Sequence, residues 1–381
     1  MRILHTGDLH IGKSVNNFSM IPDQKKILDE MVEIAREYGV SAFVIAGDVY
    51  DRSIPTAEAV MVMNDFLEKL RELNLDIFII SGNHDSPERL GFAQEILEKQ
   101  SVHIAGTYKE HLKQVTLSDE YGEVIFTLMP FVKASVVGEE TSENAVKKML
   151  TDTFSQKEDD GKRHVLITHF FVTNGTHEPE LSDSETTVLV GGLDNVDIRC
   201  FETFGYTALG HIHKPQRMDD EEDSATGPVV YAGSPLAYSF SECNQEKSVV
   251  IADMNQDGRV DLQRVKLHPL HQMRKIKGRL EELIKPEVAA LADVNDYLQV
   301  TLTDEEELID PMGTLRSVYP NVMQIVFEKK ERERAEETEL PASVERKTAQ
   351  ELFEDFYEQV RGQKMDEEHR QVIDQVVKEI S

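Results

Sequence analysis

DIFIISGNHD, residues 76–85, runs from four consecutive large apolar residues straight into an asparagine, a histidine and an aspartate. A short all-apolar run bounded by turn residues reads as a buried strand, DIFII over 76–80. The polar triplet therefore stands at the strand's carboxyl end. In sheets built from alternating strands and helices, that is where ligands gather.

Working outward, the same arrangement recurs. RILH (2–5) and FVIA (43–46) read as further buried strands, and Ile27, Leu28, Met31, Ile34, Ala35 and Tyr38 between them keep the helical period. Thr56 reads as the N-cap of a second helix that buries Ala59, Val60, Met63, Leu67 and Leu70. Strand, helix, strand, helix, strand predicts an α/β core with parallel neighbours. After a helix near 88–99 come the apolar strands HVLITH (164–169), YTALGH (206–211), PVVYAG (228–233) and SVVIADM (248–254), read as a second sheet, with a hairpin at DGR (257–259) ending near Leu267.

Downstream, residues 272–328 read as a smaller α/β unit, with strands at 273–277, 296–303 and 322–328 and helices near 279–290 and 308–318. KKERERAEETELPASVERK (329–347) is almost free of large apolar residues and reads as a charged linker. Beyond it, Leu352, Phe353, Phe356, Tyr357 and Val360 share one helical face, and Val372, Ile373, Val376, Val377 and Ile380 another. The expected division is 1–270, 271–328, a linker at 329–348 and a helical tail at 349–381.

Composition bounds the chemistry. With 71 acidic against 41 basic residues the 381-residue chain carries a formal charge of −30, a field that repels phosphate backbones and anionic lipid. Cys200 and Cys243 show no metal or disulfide spacing, which fits a reducing cytoplasm. No apolar run reaches the ~18 residues that would span a bilayer. The expected location is cytoplasmic, with no membrane.

Candidate ligands sit at five strand ends: Asp8 and His10 (GDLH), Asp48 (GDVYD), Asn83 with His84 beside it (GNHD), His169 (THF), and His211 and His213 (GHIH). Oxygen and imidazole donors without thiolate suit Mn²⁺, Fe²⁺ or Zn²⁺ better than a structural zinc site. A glycine precedes Asp8, Asp48, Asn83 and His211, as a chain turning sharply off a strand toward a metal requires.

Taken in this order, the motifs resemble the calcineurin-like metallophosphoesterases, and among them the bacterial nuclease subunits that work with an SbcC-type ATPase. The resemblance implies a two-sheet αββα sandwich with a small α/β capping domain and an ATPase-binding helical tail. It implies two divalent ions, most simply Mn²⁺: Asp8, His10 and His213 on one, Asn83, His169 and His211 on the other, and Asp48 bridging. Such a pair lowers the pKa of a shared water and screens the attacked phosphodiester. His84 would serve the leaving oxygen. GDVYDRS also matches most of the phosphatase motif GDxxDRG, so Asp51 is expected to accept a hydrogen bond from His84 and Arg52 to contact substrate phosphate.

The implied activity is Mn²⁺-dependent 3′-to-5′ exonuclease action on duplex DNA and endonuclease action on single strands or hairpins, in DNA repair, recombination and replication. The implied assembly is a homodimer within a heterotetramer, joined through the helices near 56–74 or 88–99. The alternative on the same ligands is a phosphomonoesterase or cyclic-nucleotide phosphodiesterase, since the attack on phosphorus is common to both. GSPLAYSF (233–240) resembles the family's loop near the metals. DDEED (219–223) reads as a solvated excursion.

Overall fold

Two six-stranded sheets lie face to face in the computed structural model, which describes residues 1–154, 163–175, 177–185, 194–219 and 227–328. Across the first sheet the order is Val260–Lys266, Ser248–Met254, Arg2–Thr6, Ala42–Ile45, Asp76–Ile80 and Val102–Ala105. The last four are parallel and the first two run antiparallel. In the second sheet the parallel strands Val229–Tyr231, Tyr206–Leu209, Arg163–Thr168 and Gly122–Met129 are flanked by antiparallel edges, Gln216–Arg217 and Lys113–Asp119.

Alternation along each strand assigns the layers. Ile3, Val44, Phe78 and Ile80 meet Phe126, Val165, Ile167 and Ala208 between the sheets. Leu4, Phe43, Ile45, Ile77 and Ile79 face the other way, onto the helices Ile21–Tyr38 and Ala57–Arg71. Leu166, Leu209 and Tyr231 likewise pack on Val146 and Met149 of the helix Ser142–Phe154. Both faces of both sheets are covered, which is why these strands read as unbroken apolar runs. The result is the expected αββα sandwich.

Several local expectations are matched closely. Thr56 caps its helix by accepting from the Ala59 amide at 3.2 Å, and the strands Asp76–Ile80 and Ser248–Met254 have the anticipated bounds. Others are corrected. Ser248–Met254 belongs to the first sheet, antiparallel to Arg2–Thr6, because a strand buried on both faces carries no mark of which sheet it joins. The helix expected near 88–99 is two short ones, Pro87–Leu90 and Gln94–Glu98, broken at Ala93, whose φ is 60°. The one expected over 279–290 is split into Leu280–Leu283 and Pro286–Ala289, since Pro286 cannot continue a helix but can start one. The strands Val102–Ala105, Lys113–Asp119 and Gly122–Met129 and the helix Ser142–Phe154 were not anticipated.

The small sheet, Met273–Gly278, Tyr297–Leu302 and Val322–Phe327, lies up to its residue 326 within the same compact unit as the core, Met1–Val326. Fully buried Asp23, in the first turn of the long helix, fastens it: one carboxylate oxygen accepts from the His271 amide at 2.8 Å, the other from His271 Nδ1 at 3.0 Å and the Tyr297 hydroxyl at 2.8 Å. The linker and tail expected at 329–381 and most of the acidic loop at 219–223 lie outside the described residues.

One buried group makes stability depend on pH. His5, fully enclosed between the sheets, bonds the Tyr206 hydroxyl through Nδ1 at 2.8 Å, and its Nε2 has no hydrogen-bond partner among the described residues. Burial pushes its pKa from 6.5 down to about 3. Between those values the unfolded chain takes up a proton that the folded chain refuses, so stability is complete above 6.5 and falls as pH drops toward 3. In urea melts of metal-free protein, wild type should lose roughly 2 kcal/mol more than His5→Gln between about pH 7.5 and about pH 5. Equal losses would mean that His5 is not the group responsible.

Candidate metal centre

The parallel strands of both sheets deliver their carboxyl ends to one locus. Arg2–Thr6 leads into Asp8 and His10, Ala42–Ile45 into Asp48, and Asp76–Ile80 into Asn83 and His84, all from the first sheet. From the second sheet, Arg163–Thr168 leads into His169 and Tyr206–Leu209 into His211 and His213. Main-chain bonds carry the strand pairing past the sheet edge: Asp8 N to Gly47 O at 3.1 Å, His10 N to Asp48 O at 2.9 Å and Ile11 N to Val49 O at 2.9 Å. Two loops are thereby zipped into a rigid floor.

That floor is held in backbone conformations side chains rarely adopt. Asp8, His10, Asp48 and His211 have φ of 52°, 43°, 49° and 94°. Strain of this kind persists where the surroundings over-determine it, and it clusters at functional sites. The glycines are needed for close approach. A Cβ on Gly82 would come within 2.1 Å of Asp48 Oδ1, and one on Gly210 within 1.9 Å of the Ala46 carbonyl.

All seven expected ligands are brought together. His10 Nε2 and His213 Nε2 stand 3.1 Å apart, with Asp8 in the same cluster. Asn83 Oδ1 lies 3.0 Å from both His169 Nε2 and His211 Nδ1. Asp48 Oδ2 sits between the two groups, 3.7 Å from His10 Nε2 and 3.5 Å from His169 Nε2. Asp8, His10, Asp48, His169 and His213 are buried, whereas Asn83 and His84 are exposed at the mouth.

Outer contacts fix which lone pairs face inward. His169 Nδ1 donates to the Ala46 carbonyl at 2.7 Å, leaving Nε2 unprotonated toward the centre when the ring is neutral. Two imidazole nitrogens facing each other at 3.1 Å, with His10 Nδ1 buried and unbonded among the described residues, form a pair that a shared cation satisfies. Burial holds His10 far below the usual histidine range and His211 at about 3, so both stand in the ligating form. Burial would also raise Asp48, but in the metal-free site the His169 imidazolium, which Asp48 pushes up to about 9 against burial, outweighs it and keeps the carboxylate ionised. The site thus attracts positive charge. Its oxygen and nitrogen donors fit divalent ions of the Mn²⁺ and Fe²⁺ kind.

Comparison with known proteins gives the family. A family model described as calcineurin-like phosphoesterase matches residues 1–215, and one described as type 5 capsule protein repressor C-terminal domain (SbcD_C) matches 269–361. The SbcD subunit of nuclease SbcCD from Staphylococcus epidermidis is 31% identical over 374 residues, covering 95% of this chain and 94% of that protein. The chain belongs to the SbcD family of calcineurin-like phosphoesterases. It is therefore a metal-dependent phosphoesterase. Among solved structures it is similar to a dimetal phosphatase from Danio rerio (TM-score 0.41, 12% identity, 71% of this chain and 98% of that one). It is similar also to TT1561 of Thermus thermophilus (TM-score 0.42, 13% identity, 69% and 98%). No helix among the described residues is long and apolar enough to cross a membrane.

For this SbcD-family chain, the surroundings of the catalytic-histidine candidate differ from the expectation. His84 Nδ1 bonds the main-chain carbonyl of Asp51 at 3.0 Å, not its carboxylate. The Asp51 carboxylate instead takes Lys13 Nζ at 2.7 Å and approaches His10 Nδ1 at 3.8 Å. Arg52 reaches into solvent, its side chain 79% exposed, with Nε 3.6 Å from Asp51. Removing this negative charge, which stands 3.8 Å behind His10 without hydrogen-bonding it, Asp51→Asn should weaken hydrolysis and Mn²⁺ affinity together by up to roughly tenfold. A titration that shows full affinity would detach Asp51 from His10.

Asp85 braces the turn. Its oxygens accept from the amides of Val49, Tyr50 and Gly82 at 3.1, 3.0 and 2.9 Å. Sequence reading missed Lys13, and it left the GSPLAYSF loop without a role. Tyr238 of that loop donates to the Leu9 carbonyl at 2.5 Å and packs edge-on against His10 and His213. A tyrosine in a turn-rich loop gives no sign of such a neighbour.

Proposed function

We propose that this chain is a Mn²⁺-dependent DNA nuclease, a 3′-to-5′ exonuclease on duplex ends and an endonuclease on single strands and hairpins, working with an SbcC-type ATPase in DNA end processing. The observation that carries this reading is Asp48 Oδ2 poised between two imidazole groups contributed by different sheets. In it, Asp8, His10 and His213 would hold one ion, Asn83, His169 and His211 the second, and Asp48 would serve both. When bound, the two ions supply a nucleophilic water of lowered pKa and neutralise charge on the attacked diester. His84, oriented by the Asp51 carbonyl and open to solvent, gives its proton to the departing oxygen. Arg52 contacts the substrate phosphate from the rim.

DNA is favoured over a small phosphate ester because the likeness to a nuclease subunit covers 95% of the chain, including the stretch beyond the phosphoesterase core. On this reading residues 1–270 form the nuclease domain, 271–328 the capping domain, 329–348 a linker and 349–381 the ATPase-binding tail. A homodimer would use Val60, which the helical period had placed on the buried face but which is 46% exposed, with Met61, Phe92 and Ile96, 65%, 80% and 69% exposed, on the helices Ala57–Arg71 and Gln94–Glu98 and the turn before the latter.

The test offers the chain, with and without the ATPase, Mn²⁺ and ATP, a blocked duplex end, a hairpin and a small phosphomonoester. Cleavage of both DNA substrates is expected. Processing of the phosphomonoester alone would replace the nuclease reading. With a net charge of −30, DNA binding by the isolated chain should be weak at physiological salt.

A further inference from the structure

Behind His213 lies a buried chain of polar groups that the site's own chemistry does not use. His213 Nδ1 donates to Ser184 Oγ at 2.8 Å, and that hydroxyl donates to Glu242 Oε1 at 2.6 Å. The other Glu242 oxygen accepts from Lys247 Nζ at 2.5 Å. The same ammonium returns to the main-chain carbonyl of His213 at 3.0 Å, and bonds Ser234 Oγ at 3.0 Å and Gln245 Oε1 at 3.1 Å. Glu242 and Lys247 have side-chain exposures of 0% and 6%.

A buried ion pair is weak evidence for stability, since desolvating two charges opposes their attraction. Here the chain of bonds begins on the ring of one candidate ligand and returns to that residue's own main-chain carbonyl. With the Ser184 proton committed to Glu242, the serine oxygen can only accept from His213, so Nδ1 carries the proton and the Nε2 lone pair faces His10. This is the carboxylate–histidine–metal arrangement with a hydroxyl interposed. It also gives the GSPLAYSF loop a purpose, because the loop runs into the short helix Phe240–Glu242 that sets the carboxylate under the serine.

We propose that Ser184, Glu242 and Lys247 are positioning residues for His213, fixing its tautomer and ring so that Nε2 addresses the ion shared with Asp8 and His10. The inference rests on the two-ion reading above. Glu242→Gln leaves Lys247 buried without its anion and is open to failing to fold, so Ser184→Ala carries the test.

In calorimetric titration of the metal-free full chain with MnCl₂, wild type should bind two ions. Ser184→Ala should bind one of them about 10- to 100-fold more weakly and the other unchanged, and Ser184→Thr should restore the lost affinity. Unaltered binding in Ser184→Ala, or equal weakening of both ions, overturns the positioning role. Fewer than two ions in wild type overturns the two-ion reading instead, and the inference with it.

Discussion

Asp48→Asn should leave a folded chain whose Mn²⁺-dependent hydrolysis is about 10⁴-fold slower, equivalent to losing about 5 kcal/mol of barrier reduction. The amide preserves shape: Oδ1 can still accept the His84 amide, which it does at 2.8 Å. What disappears is the negative charge at Oδ2, which faces His10 Nε2 on one side and His169 Nε2 on the other. An asparagine amide turned that way would confront two ligand lone pairs with a donor and leave neither ion a shared anion. The measurement is a single-turnover rate on end-labelled duplex across a range of Mn²⁺ concentrations. A rate within tenfold of wild type at saturating metal would remove Asp48 from the centre.

His84→Ala should be nearly as damaging by a different route. Its side chain is exposed, its Nδ1 is held by the Asp51 carbonyl, and its ring stands edge-on to His10 with centroids 4.8 Å apart. It is thus beside the centre without being needed to complete either ligand group. Mn²⁺ affinity should be retained while the rate on DNA falls about 10²- to 10⁴-fold, the usual worth of a general acid. The loss should shrink for a nitrophenyl phosphodiester, whose leaving group departs without a proton. Full activity on DNA would reject the assignment, and an equal loss on both substrates would favour charge stabilisation over proton donation.

The two variants probe different levels of the same construction. Asp48 is a strand-end residue whose neighbours in space come from segments more than 30 and more than 100 positions away, as its contacts with His10 and His169 illustrate. His84 is a neighbour in sequence of a candidate ligand and could be singled out from GNHD alone. The difference explains what was legible. Asp8, His10, Asp48, Asn83, His169, His211 and His213 each follow an apolar strand, and the rule that ligands collect at carboxyl ends of parallel strands is enough to assemble them. Ser184, Glu242 and Lys247 follow no such rule. They come from a loop, a short helical turn and a strand approach whose local composition is that of ordinary surface, and only folding buries Glu242 and Lys247 and brings Ser184 against them.

The sequence by itself determined the strand-helix alternation of the first hundred residues, the buried character of the strands it marked and the candidate donor set, because apolar periodicity and residue chemistry are local properties. Tertiary structure decided the rest. It returned Ser248–Met254 to the first sheet beside Arg2–Thr6, turned His84 toward a carbonyl and the Asp51 carboxylate toward Lys13, and enclosed a charged pair behind His213. A strand's partner and a side chain's bonding direction depend on which distant groups remain unsatisfied once the core has closed, and that is a property of the packed whole.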